Sequence, residues 1–139
     1  MNMLNFDSVQ VGDELPELEL PPLDRRTLAL FAGASGDHHP IHIDVDYARR
    51  AGMPDVFAHG MLGMAWLGRL LTSWAPQSQL RHFGVRFQGI THLGNTIRCS
   101  GYIVEKLEID GVRCVRVEVQ STNQFGQLKI VGEALVALS

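Results

Sequence analysis

The chain of 139 residues is 45% hydrophobic and 19% charged, long enough for one compact domain with its own core and too short for two ordinary ones. Twelve basic against fifteen acidic residues leave a formal net charge of −3, and neither sign forms a block, which argues against a nucleic-acid binder. No run approaches the roughly 18 apolar residues of a membrane span, and the segment from Met1 to Glu14, with Asp7, Asp13 and Glu14, lacks the apolar stretch of a signal peptide.

Of the twelve cations ten are Arg, and only Lys106 and Lys129 are Lys, an excess suited to planar contacts with carboxylate or phosphate. The cysteines, Cys99 and Cys114, fall in expected strands and form no CxxC pair. Without an export signal they read as reduced core thiols of a cytoplasmic protein. There is no internal repeat, low-complexity tract or linker, so residues 1–139 are expected to form a single domain.

In chain order, a short strand is expected near Leu15 to Leu20. Leu23 to Ser35 predict a first helix, with Asp24 as N-cap, an apolar stripe of Leu28, Leu30, Phe31 and Ala34, and Gly36 as the stop. Pro40 interrupts any helix in the polar segment that follows, and Asp46 to Ala51 predict a short helical turn closed by Gly52. From Ala58 to Trp74 the only formally charged residue is Arg69, and apolar side chains run nearly all the way round, the pattern of a buried helix. Its glycines Gly60, Gly63 and Gly68 each cost about 1 kcal/mol relative to alanine, which close approach of a second backbone or of a ligand would offset.

From Leu80 onward the period becomes 2. His82 to Thr91 predict a strand, and Tyr102 to Ile109 run into Asp110-Gly111, a strong hairpin signal. Val112 to Gln120 alternate as the next strand, and Leu128 to Leu138 form the last. About five antiparallel strands and one buried helix predict an α+β fold with a curved sheet wrapped round a central helix.

The densest polar cluster is Asp37, His38, His39 and His42 on a Pro-containing loop, with His59 just before the buried helix. A carboxylate and an imidazole five residues apart can converge on one small molecule, such as a water, and an imidazole titrates near neutrality, as general acid–base work requires. Spacing alone leaves open a polar loop that satisfies its own backbone and a metal site built from Asp37, His38, His39 and His42. The pattern is not HExxH, and Pro40 prevents the helical spacing that would align two His on one face. Gly60 leaves the N-terminus of the buried helix sterically open, where unpaired N–H groups could polarise a carbonyl oxygen. Equally, Gly60 could only ease packing, with His59 as a cap and Met61 and Met64 as core or pocket lining.

The stretch Gly36-Asp37-His38-His39-Pro40-Ile41-His42, followed by His59-Gly60-Met61, resembles the MaoC-like dehydratases, which include the (R)-specific enoyl-CoA hydratases and 3-hydroxyacyl-thioester dehydratases. Their signature is G-D-x-N-P-aliphatic-H, with a later H-G-M before the central helix of a hot-dog fold. The likeness runs from Val11-Gly12-Asp13 to the last strand. It implies catalytic roles for Asp37 and His42 and a thioester carbonyl bound by the helix N–H at Gly60. It further implies an acyl thioester of coenzyme A or acyl carrier protein as substrate, no metal or organic cofactor, and a homodimer or larger homo-oligomer. His39, His59, Met61 and Met64 are then expected to line the substrate site, with Arg86 contacting a phosphorylated carrier. His39 departs from the family's Asn; its ring can donate or accept, and its charge varies with pH. Two other functions suit such a pocket: a thioesterase on the same fold, and a non-catalytic acyl-thioester-binding partner subunit.

Overall fold

Five antiparallel strands curl around one helix. The computed structural model describes residues 4–138; residues 1–3 and 139, which belong to the expected single domain and, at the N-terminus, to the expected leader-free segment, lie outside the described residues. The elements are β1 (Leu18–Glu19), α1 (Arg25–Ser35), a 3-10 turn (Pro40–His42), α2 (Val45–Arg50), α3 (Gly60–Trp74), a second 3-10 turn (Gln77–Gln79), β2 (Leu80–Phe87), β3 (Arg98–Ile109), β4 (Val112–Thr122) and β5 (Leu128–Ala137). The sheet order is β1-β3-β4-β5-β2, and α3 is held in its curl. This is the expected α+β hot-dog arrangement.

The sheet's inner face is read directly from the period of 2. Val115, Val117 and Val119 of β4 and Ile130, Ala134 and Val136 of β5 are buried, and they meet Leu62, Trp66, Leu67, Leu70 and Leu71 of α3 in one core. Glycines on the concave side let the layers close. A Cβ on Gly63 would stand 2.6 Å from Ile130 Cδ1, so helix and sheet touch there without room for a methyl group. A Cβ on Gly132 would collide with the carbonyl oxygen of Gly84 and reach within 3.1 Å of Val85 Cα. Both positions require glycine for space.

Several expected boundaries shift for identifiable reasons. The first helix begins at Arg25, because the Asp24 carboxylate accepts the Thr27 N–H at 2.8 Å and fixes the cap there. The buried helix begins at Gly60 and not Ala58, because the Ala58 N–H is spent on the Thr91 carbonyl at 2.9 Å. The strand expected over His82 to Thr91 ends at Phe87. There the N–H groups of Gln88 and Gly89 both donate to the Lys129 carbonyl, at 2.8 and 3.1 Å, a two-against-one pairing that turns the chain out of the sheet. The Asp110-Gly111 hairpin turn has φ of 51° and 80°, and Cys99 and Cys114 are buried free thiols. Among the described residues no helix is long and apolar enough to cross a membrane.

Candidate active site

The loop after α1 is held by a chain of local hydrogen bonds. Gly36 closes α1 at φ 79°, and the Ser35 hydroxyl accepts the Asp37 N–H at 3.1 Å. Asp37 Oδ1 then accepts the His39 N–H at 3.2 Å, and His39 Nδ1 accepts the Ile41 N–H at 3.1 Å. Each bond runs from a side chain to the backbone two residues on, the turn geometry that Asp and Asn favour. Pro40 opens the 3-10 turn, where its missing N–H costs nothing, and Asp44 caps α2 through the N–H groups of Asp46 and Tyr47. His38 Nδ1 likewise lies 3.2 Å from the Gly36 carbonyl oxygen, so the loop spends its polar groups on itself except for the Asp37 carboxylate's remaining acceptor sites, the Nε2 atoms of His38 and His39, and the His42 ring.

His42 at the end of the turn is half-buried, and its ring is fixed from two directions. Nδ1 lies 2.7 Å from the Phe57 carbonyl oxygen. An oxygen acceptor there requires the proton on Nδ1, which leaves the Nε2 lone pair free. One face of the ring stacks on His59, with centroids 4.0 Å apart and planes 24° from parallel. His59 is 2% exposed; its Nε2 donates to the Asp37 backbone carbonyl at 3.1 Å, so its Nδ1 carries the lone pair, and that atom is buried without a partner. Phe31 meets the same ring edge-on at 4.8 Å. Burial therefore holds the His59 pKa below the ordinary histidine value, outweighing the pull of the Asp37 carbonyl.

His59 also joins this cluster to the N-terminus of α3. It occupies the N-cap position with no side-chain cap bond, its ring being used on Asp37. The first N–H groups of the helix therefore have no partner from the helix itself. Beside them opens a cleft of about 260 Å³, lined among others by Phe57, His59, Gly60, Phe87, Thr91 and Ile130. A Cβ on Gly60 would come within 3.1 Å of the Phe87 ring, so the glycine keeps the passage between helix end and ring open. The opposite wall is fixed from below by Lys129, 5% exposed, whose ammonium donates to the Ile90 carbonyl at 2.6 Å. Desolvation lowers the Lys129 pKa from its usual value.

Asp37, His42 and His59 each offer a ligand-type atom within 4.8 Å of the others. Of their nitrogens, His59 Nε2 and His42 Nδ1 are committed to carbonyls, and His59 Nδ1 is sealed. Two donors remain, short of the three or four that a zinc site takes.

Asp37, His42, His59 and Gly60 are brought together. His39 adjoins them, but its Nδ1 is occupied by the loop and its ring rests edge-on against Tyr47 at 5.6 Å. Met61 is 57% exposed at the second residue of α3, and Met64 is half-buried one turn further on; neither lines the cleft. Arg86 is not brought to it. Its neighbours Phe83 and Val85 face the core, so Arg86 faces outward, into a concavity shared with His82, Tyr102, Glu118 and Glu133. Sequence reasoning missed the Phe57 carbonyl, which leaves no residue-type signal. It also missed Lys129, whose signal was a single Lys between Leu128 and Ile130 in a strand.

Known proteins share this fold. A family model described as the MaoC like domain matches residues 9–125. The chain is 24% identical over 131 residues, covering 94% of itself and 78% of its relative, to a mitochondrial 3-hydroxyacyl-[acyl-carrier-protein] dehydratase of Arabidopsis thaliana. Its fold superposes with a TM-score of 0.84 on the unliganded R-hydratase PhaJ1 of Pseudomonas aeruginosa, at 28% identity, covering 96% of this chain and 84% of that one. A protein described as a MaoC-like dehydratase gives a TM-score of 0.87 at 32% identity over 97% of this chain, which spans 42% of that longer one. With most of its length matched by the family model, this chain belongs to the MaoC-like dehydratase family.

Proposed function

We propose that the protein adds water across the double bond of trans-2-enoyl thioesters, and in reverse dehydrates (3R)-3-hydroxyacyl thioesters, of coenzyme A or acyl carrier protein. One observation carries the reading: the Asp37 carboxylate and the free Nε2 side of His42 converge beside the uncapped N-terminus of α3. In this reaction the thioester oxygen lies at the N–H of Gly60. A water held between Asp37 and His42 gives its hydroxyl to C3, while a proton reaches C2 on the same face through the two side chains. Negative charge developing on the C1 oxygen meets the positive end of the helix. A donor aimed at such an oxyanion contributes about 3–4 kcal/mol, and each proton relay about 10²–10⁴-fold in rate.

The test follows loss of enoyl absorbance from crotonyl-CoA while free thiol is monitored. Hydration consumes the enoyl signal with no thiol released; thiol release from saturated acyl-CoA would point to a thioesterase instead. Asp37→Asn and His42→Ala each lower kcat by about 10²–10⁴-fold with the circular-dichroism spectrum unchanged, and Gly60→Val lowers kcat by crowding the carbonyl. Near wild-type turnover in either dyad variant would refute the roles given to Asp37 and His42.

A further inference from the structure

We propose that His39 is a positioning residue that holds the catalytic turn only while its ring is neutral, making the site open to control by acid. The inference rests on the hydratase reading for its consequence in catalysis, but on geometry alone for the cap itself. His39 Nδ1 accepts the Ile41 N–H at 3.1 Å and so serves as the N-cap of the turn Pro40–His42. Acceptance demands a lone pair on Nδ1, so the neutral ring carries its proton on Nε2. A second proton can go only to Nδ1, where it would face the Ile41 N–H. Two donors then oppose each other, and the bond is lost.

The bond sits within the chain that carries the dyad. Upstream, the His39 N–H is held by the Asp37 carboxylate at 3.2 Å; downstream, Ile41 leads directly into His42. The titratable groups around the ring are Asp37 and His38 on its own loop, His42 in the turn it caps, with ring centroids 6.2 Å apart, and Tyr47 on α2. None of these donates to or accepts from His39 Nδ1, whose partner is a backbone N–H with no proton to give up. An amide oxygen at this position would accept the same N–H at every pH. Histidine substitutes an acceptor that disappears when the ring takes up a second proton.

The experiment compares wild type, His39→Asn and His39→Ala by amide hydrogen exchange at Ile41, without substrate, and by kcat/KM for crotonyl-CoA against pH. In wild type the Ile41 protection factor falls about fivefold from pH ~8 to pH ~5, the factor for losing one side-chain cap. In His39→Asn it stays constant, and in His39→Ala it is low throughout. The acid limb of kcat/KM, with each protein normalised to its own value at pH ~8, is steeper in wild type than in His39→Asn. Ile41 protection that is equal at both pH values in wild type, or the same pH response in His39→Asn, would overturn the cap. Loss of Ile41 protection in a protein with no hydratase turnover would uphold the cap and remove the reaction.

Discussion

At the scale of single residues, the site depends on which atom of each imidazole carries its proton. His42 and His59 donate from opposite nitrogens, Nδ1 to Phe57 and Nε2 to Asp37, and each choice exposes or buries a lone pair. His59 is the consequential case for stability, because its lowered pKa arises first from burial. In the unfolded chain its pKa is about 6.5, so on acidification the unfolded state takes up a proton before the native state does. The contribution of neutral His59 is complete above about pH 6.5 and is lost as pH falls toward the lowered native value. The melting temperature of wild type should therefore fall more between pH ~7.5 and ~5.5 than that of His59→Gln, which carries no titrating ring; equal falls would contradict the assignment. That Asp37, His42 and Gly60 come together was legible from the sequence, because two separated motifs name them by residue type. The Phe57 carbonyl was not, since any residue there presents the same oxygen. Nor was the engagement of the His39 ring by the Ile41 N–H, which depends on a backbone turn invisible to residue identity.

At the scale of elements, the contact between α3 and β5 decides where the helix tip lies relative to the cleft. Gly63 and Ile130 meet without space for a methyl group, and both line the cleft. Gly63→Ala gains about 1 kcal/mol of helix propensity but forces the Ile130 side chain aside, an overpacking that costs typically about 1–3 kcal/mol. The net change in urea unfolding is a modest loss of stability, and Ile130→Val in the same chain should restore part of it, because neighbouring substitutions couple. Additive losses in the double variant would show that the two side chains do not compete for one space. Element type was readable throughout from the switch between helical and alternating periods. The end of β2 was not: the β-branched Ile90 and Thr91 suit a strand, yet the chain leaves the sheet because two N–H groups converge on the Lys129 carbonyl.

At the scale of the whole molecule, β1 and β2 are the sheet's two edges, and they differ. β1 is two residues long, whereas β2 runs for eight and pairs only with β5. An edge strand of that length is a template for pairing with a further strand, and Phe87 at its end, 52% exposed, stands at the mouth of the cleft. We expect the protein to be a homodimer joined along β2, with sedimentation giving twice the mass of one chain; a monomer at micromolar concentration would exclude it. Arg86, expected from the sequence to contact a carrier, lies on the face away from the cleft, because one residue of strand parity sends a side chain to the opposite face.

The polar cluster and the far wall of the cleft beside it are assembled over different distances along the chain. Asp37, His42, Phe57, His59 and Gly60 meet through bonds spanning 15 and 22 residues. The facing wall needs Ile130 and Lys129, the latter tied to Ile90 across 39 residues. Loops that close over short separations form ahead of those that close over long ones. During refolding Asp37 and His42 should therefore be together while the pocket is still unwalled. Recovery of turnover will then lag behind recovery of helical signal and keep time with the docking of the last strand.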